Sequence, residues 1–128
     1  MKKRIYIAGK VTGEDREACT EKFKRAQEEL QKKGFKAVNP LEVVNTWEIT
    51  WENAMKKCIA ALMEVEAVYL LPCVSDSPGA KLELSLAQKL GIPVCTKVDG
   101  FYQFCATINE TRDMEVNYEV INNANHEK

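Results

Sequence analysis

The chain has 128 residues, with 18 basic and 19 acidic side chains, a formal net charge of −1 and 45% hydrophobic residues. That length suits one globular domain with a real core and is too short for two. The near-neutral, well-mixed charge leaves no electrostatic footprint for a nucleic-acid polymer or an anionic membrane, so a small polar ligand is the default partner.

Met1-Lys2-Lys3-Arg4 leads into a strand-length apolar segment rather than a signal-peptide core. No apolar run approaches the roughly 20 residues of a membrane helix, so the expected location is the cytoplasm. Arg4 to Ala8, "RIYIA", reads as a first buried strand ending at Gly9. After the loop Gly9 to Gly13, apolar residues at Cys19, Phe23, Ala26 and Leu30 keep helical spacing. Glu21/Arg25, Glu28/Lys32 and Glu29/Lys33 add i,i+4 pairs, and Gly34 closes that helix.

Phe35 to Val38 makes a second strand, ended by Asn39-Pro40. From Thr46 onward the pattern is helical again, with Trp51, Ala54, Met55, Cys58, Ile59 and Leu62 on one face. Ala67 to Leu71 is a third strand. A helix follows, with Ser77 as N-cap, Pro78 at its first position and Gly91 with Pro93 as its stop. Ile92 to Thr96 is a fourth strand.

This βαβαβαβ order, with apolar rather than alternating strands, predicts an α/β Rossmann/flavodoxin-like three-layer sandwich. Its parallel sheet of four or five strands carries helices on both faces, joined by right-handed crossovers. Residues 1–100 form the α/β domain. Residues 101–128 form a C-terminal extension in which Met114, Tyr118 and Ile121 mark a short helix before a frayed end.

The five cysteines, Cys19, Cys58, Cys73, Cys95 and Cys105, are odd in number and lack a CxxC pair, which argues against a disulfide framework and a thiolate zinc site. The one histidine, His126, lies in the polar tail. No metal or other cofactor is expected.

Ligands of open parallel sheets bind beyond the carboxyl ends of the strands. Three segments should meet there: "AGKVTG", "NPLE" and "LPCVSDSPGA". The first and third lead into helix N-termini, which favour an anion such as a phosphate. The first loop is neither a dinucleotide fingerprint nor a Walker A sequence, and an ordinary strand-to-helix turn explains it as well.

Two residues carry sharper chemistry. In the helix after the third strand, Lys81, Ser85, Gln88 and Lys89 fall on one side, and Gly79, Ala80, Leu82, Leu86, Ala87 and Leu90 on the other. Glu83 lies in the middle of the apolar arc. A buried carboxylate needs a hydrogen-bond partner, and Tyr6, near the carboxyl end of the first strand, can supply one. The structural alternatives are a salt bridge from Glu83 to a lysine and a Tyr6 ring that is simply core.

The segments "IYIAGKVTG", "VNP", "IAALMEVEAVYLLP" and "SPGAKLE" resemble the nucleoside 2-deoxyribosyltransferase-like superfamily. That superfamily includes the 2'-deoxynucleoside 5'-phosphate N-hydrolases, and the likeness is strongest to its branch known as domain of unknown function 4406. The resemblance implies that Glu83 is a nucleophile attacking the anomeric carbon of a sugar, supported by Tyr6. It implies that Gly9, Lys10, Thr12 and Gly13 of the first loop, with Ser77 and Gly79, hold sugar or 5'-phosphate.

Cys58 stands where close relatives carry an aspartate that contacts sugar or moves protons, and Cys73-Val74 stands where they carry Asp-Trp. The implied function is cleavage or transfer of the N-glycosidic bond of a (deoxy)nucleoside or nucleoside 5'-monophosphate, in a homo-oligomer whose subunits share sites. The alternatives are a catalytically impaired nucleotide-binding or regulatory module with the same pocket, and redox sensing through Cys58 and Cys73.

Overall fold

The structure, a computed structural model, describes residues 2–72, 76–98 and 101–104, with the backbone alone for 98 and 101–104. Its elements run β1 (Arg4–Ala8), α1 (Arg16–Lys32), β2 (Lys36–Val38), α2 (Pro40–Val44), α3 (Trp51–Leu62), β3 (Ala67–Leu70), α4 (Pro78–Lys89), β4 (Val94–Val98) and β5 (Phe101–Phe104). One five-stranded sheet has the order β2-β1-β3-β4-β5. β1 pairs parallel with β2 and β3, and β3 with β4, while β5 is antiparallel to β4. The expected α/β sandwich is borne out, and the first residues assigned to the C-terminal extension add its edge strand. The expected helix at Met114, Tyr118 and Ile121 lies outside the described residues.

Alternation along the strands divides the core into two layers. Tyr6, Ala8, Val68 and Leu70 face one way and pack with Cys58 and Leu62 of α3 and Leu84 and Ala87 of α4. Ile5, Ile7, Tyr69 and Leu71 face the other way, against Cys19, Phe23, Ala26 and Leu30 of α1. The four α1 residues are those whose spacing gives the helix away. Glu21 and Arg25 pair at 3.4 Å along α1, and Glu29 also reaches Lys97 on β4 at 3.1 Å. Because α3 and α4 each return the chain from one parallel strand to the next, they lie side by side and run in the same direction.

Several boundaries differ from the sequence expectation. β2 begins at Lys36 rather than Phe35, β3 ends at Leu70, and β4 covers Val94–Val98 rather than Ile92 to Thr96. "NPLE" is not a plain loop: Asn39 caps α2 and Pro40 takes its first position, and Asn45 ends the helix in the left-handed region at φ 60°. The next helix consequently starts at Trp51, where the Thr50 hydroxyl accepts from Asn53 N–H, and not near Thr46.

α4 is also turned about its axis relative to the expected arc. Gly79, Ala80, Glu83, Leu84, Ala87 and Gln88 face inward, while Leu82 and Leu90 are exposed. Packing against α3 as well as the sheet draws the buried stripe toward Leu84 and Gln88. Glu83 remains inside that stripe.

At the carboxyl ends of β1 and β3, where the chain order reverses, the strands are packed tightly. Leu71 N–H donates to the Ala8 carbonyl at 2.8 Å. A Cβ at Gly9 would lie 2.8 Å from Leu71 Cδ1 and 3.2 Å from its Cβ. Gly9→Ala is therefore expected to destabilise the protein by about 1–3 kcal/mol through overpacking, read as a lower urea midpoint with an unchanged slope. An unshifted midpoint would show that this strand junction has room to spare.

Candidate active site

Tyr6 enters the α3/α4 side of the core from the middle of β1, and its hydroxyl donates to Glu83 Oε2 at 2.7 Å. The ring is fully buried and Glu83 is 5% exposed. Cys58, buried on α3, shares hydrogen bonding with the same tyrosine hydroxyl. A strand and two helices thus each contribute one polar group to a small cluster in an otherwise apolar layer.

Burial sets the charge state of this cluster. It raises the Glu83 carboxyl from 4.5 to about 7, and the Tyr6 hydrogen bond opposes the rise only in part. Around neutral pH the protonated and ionised forms are comparably populated. Burial also raises Tyr6 well above its ordinary range, with the Glu83 carboxylate adding to it. Cys58 is pushed up to about 11, burial outweighing the Tyr6 hydrogen bond. At neutral pH both therefore keep their protons, and Glu83 is the one titrating group of the three.

The cluster lies in the wall of a cavity of about 830 Å³. Gly9, Thr12 and Gly13 of the first loop line it, as do Asn39 and Pro40 from the second and Ser77 and Gly79 from the third. The three segments expected to meet do meet. Ser77 is tied into the helix start, its hydroxyl accepting from Ala80 N–H at 3.1 Å. Gly13 takes φ +84° in open space, a backbone conformation that most side chains resist. Lys10 does not line the cavity; its carbonyl accepts from Lys22 Nζ at 2.8 Å on the α1 side. Cys73 and Val74, and with them the alternative of redox sensing through Cys58 and Cys73, lie outside the described residues.

To other cavity residues the sequence assigns no role of their own, and Asn39 is placed at the rim only as part of "NPLE". Asn39, besides capping α2, donates through Nδ2 to Gln27 Oε1 at 3.2 Å, and Gln27 Nε2 donates to Glu42 Oε1 at 3.0 Å. The signal was present in Asn39-Pro40, a cap followed by a first-position proline, but Gln27 on a polar helix face carries none. Asn45, Thr46, Trp47, Ile49, Thr50 and Trp51 form a further wall bearing both tryptophans. Arg16 stacks over the Trp47 ring, 5.2 Å from its centroid. Trp51, expected on the buried face of α3, is 42% exposed because it opens the helix at the cavity rim.

Among the described residues no group of three or more His, Cys, Asp or Glu could hold a metal ion. No described helix is long and apolar enough to cross a membrane.

A family model, domain of unknown function DUF4406, matches residues 3–96. The chain belongs to that family. The match takes in β1 through α4 and with them Tyr6, Cys58 and Glu83. No match was found among curated proteins.

Among solved structures, the fold is similar to a 2-deoxyribosyltransferase from the psychrotolerant bacterium Bacillus psychrosaccharolyticus, described as a biocatalyst for the synthesis of antiviral and antitumoral nucleosides. The TM-score is 0.61 and the identity 17%, over 98% of this chain and 85% of that one. The likeness bears out the nucleoside 2-deoxyribosyltransferase-like fold expected from the sequence.

The Glu83 titration has a stability signature. Its folded value is raised, so the folded protein keeps a proton that the unfolded chain releases, and stability is lost as pH rises from about 4.5 through 7. Glu83→Gln should leave the melting temperature close to wild type at pH 5 and raise it at pH 8, by a free energy on the order of 3 kcal/mol at most. Equal wild-type and variant melting curves at pH 8 would show that the carboxylate is not penalised by burial.

Proposed function

We propose that this protein cleaves or transfers the N-glycosidic bond of a (deoxy)nucleoside or nucleoside 5'-monophosphate, with Glu83 as nucleophile. The observation that carries the reading is a buried carboxylate, held by a tyrosine hydroxyl, in the wall of a cavity large enough for a nucleoside. A carboxylate with little solvation is a competent nucleophile once ionised. The Tyr6 hydroxyl fixes Oε2 and leaves Oε1 for attack.

In the proposed reaction the Glu83 oxygen bonds to the anomeric carbon as the carbon–nitrogen bond breaks, and the base departs with the electron pair and takes up a proton. Water or a second base then attacks the same carbon and restores the carboxylate. Gly9, Lys10, Thr12, Gly13, Ser77 and Gly79 would cradle the sugar or its phosphate, all but Lys10 lining the cavity directly. Residues 1–100 would carry the activity, in a homo-oligomer working in the cytoplasm.

The second reading is a binding module that retains the pocket without turnover. It is favoured by Cys58: a thiol raised to about 11 is neither an acceptor for sugar hydroxyls comparable to a carboxylate nor an effective proton donor at neutral pH.

Separation of free bases after incubation with a panel of deoxynucleosides and deoxynucleoside 5'-monophosphates tests the enzyme reading. Wild type should release base, and Glu83→Ala should lose at least about a thousandfold in rate, as for removal of a group the chemistry requires. Base release by wild type no faster than by Glu83→Ala defeats the proposal. If only Cys58→Asp turns over, the binding module is the correct account of the natural chain. For the active enzyme, kcat/KM should rise about tenfold per pH unit below 7 and level off above it, because the ionised Glu83 is the reactive form.

A further inference from the structure

Glu83 is buried with a hydrogen-bond partner and without a counter-ion. Burial and the Tyr6 hydroxyl set its charge, and among the described residues no lysine or arginine pairs with it. A buried carboxylate ordinarily has a cation beside it. Because Glu83 lines the cavity, a bound ligand can supply one.

The rest of the wall is also short of positive charge. Glu14 is paired with Lys22 at 3.1 Å, and Arg16 is engaged with Glu48 at 3.8 Å and with the Trp47 ring. Of the described charged residues left in the wall, Glu28, Glu42 and Glu83 stand against Lys24 alone. Lys24 lies two turns beyond the start of α1, about 12 Å along the helix axis from the rim.

Proton supply is the second constraint, since a base that would otherwise leave as an anion needs a proton. The Tyr6 O–H is already given to Glu83 Oε2 at 2.7 Å, and burial makes both Tyr6 and Cys58 hold their protons firmly at neutral pH. Glu14, Glu28 and Glu42 lie on or beside α1 and α2, and none joins the cluster.

We infer that the substrate's base is a cationic heteroaromatic ring, a pyridinium being the simplest case, joined to the sugar through its positively charged nitrogen. The inference rests on the glycosidic-bond reading above and names the substrate class for that site. The ring nitrogen is bonded directly to the anomeric carbon, so when that carbon meets Glu83 the positive charge lies beside the carboxylate and favours its ionised form. Glu83 Oε1 bonds to the anomeric carbon, the carbon–nitrogen bond breaks, and its electron pair returns to the ring nitrogen and cancels the charge. The base departs neutral and takes up no proton. Water then bonds to the same carbon, the carbon–oxygen bond to Glu83 breaks and restores the carboxylate, and the proton shed by the water goes to solvent.

Free 1-methylnicotinamide is a permanent pyridinium cation with no sugar to lose, and nicotinamide is its neutral counterpart. With the full-length protein at pH 8, equilibrium dialysis should show the cation bound at least about tenfold more tightly, and Glu83→Gln should erase that preference. Near-native circular dichroism confirms that the variant is folded. Nicotinamide riboside and uridine, each also in the 2'-deoxy form, are compared with wild type by the rate of base release over the spontaneous rate in the same buffer. The acceleration should be about a hundredfold greater for the pyridinium nucleoside, the low end of what a general acid would contribute to uridine.

The inference is overturned if 1-methylnicotinamide binds no more tightly than nicotinamide, if the preference survives Glu83→Gln, or if uridine is accelerated as strongly as nicotinamide riboside. Preference for the cation without cleavage of either nucleoside by wild type defeats the chemistry and leaves the recognition standing. Equal acceleration of both nucleosides, with no preference for the cation, does the reverse.

Discussion

The hydrogen bond from Tyr6 to Glu83, 2.7 Å long, is buried and joins residues 77 positions apart. Either group buried alone would be costly, and together they remain strained, since the carboxyl still titrates well above its ordinary value. The fold has to supply the difference. β1 occupies an interior position in the sheet, so Tyr6 is covered on every side, and α4 packs close enough to the sheet for a glutamate to meet it. The apolar layer of Val68, Leu70, Leu84 and Ala87 holds both elements in place.

The same arrangement explains why the cluster titrates as it does. Three groups able to ionise share a small volume, and two of them are held neutral by burial and by one another. Negative charge at neutral pH is confined to the carboxylate. An aspartate at position 58 would place a second acid beside the first and raise the cost of ionising both. The thiol at Cys58 avoids that repulsion, giving Glu83 an environment with one competing charge fewer.

Much of this was legible in the sequence, for identifiable reasons. The α1 stripe of Cys19, Phe23, Ala26 and Leu30 follows from helical spacing alone. Ser77, Pro78 and Gly91 mark the ends of α4 because capping chemistry is local. Glu83 was conspicuous because a charge amid apolar neighbours violates the pattern, and Tyr6 because its hydroxyl needs a partner. What did not show depends on distant packing. α4 takes its rotation from α3, so Leu82 and Leu90 point outward and Gln88 inward against their polarity. α2 is too short for a periodic signal, and Trp51 owes its exposure to a helix start set by Thr50 rather than by hydrophobicity.

Two helices running side by side in the same direction stack the site in storeys, each served by one turn from each helix. Met55 and Gly79 belong to one storey, Cys58 and Glu83 to the next. A change in one turn alters the contents of its own storey while the helix axes, anchored lower down by Leu62 and Ala87, stay where they are. Such a scaffold can change what lines its mouth without rebuilding its floor.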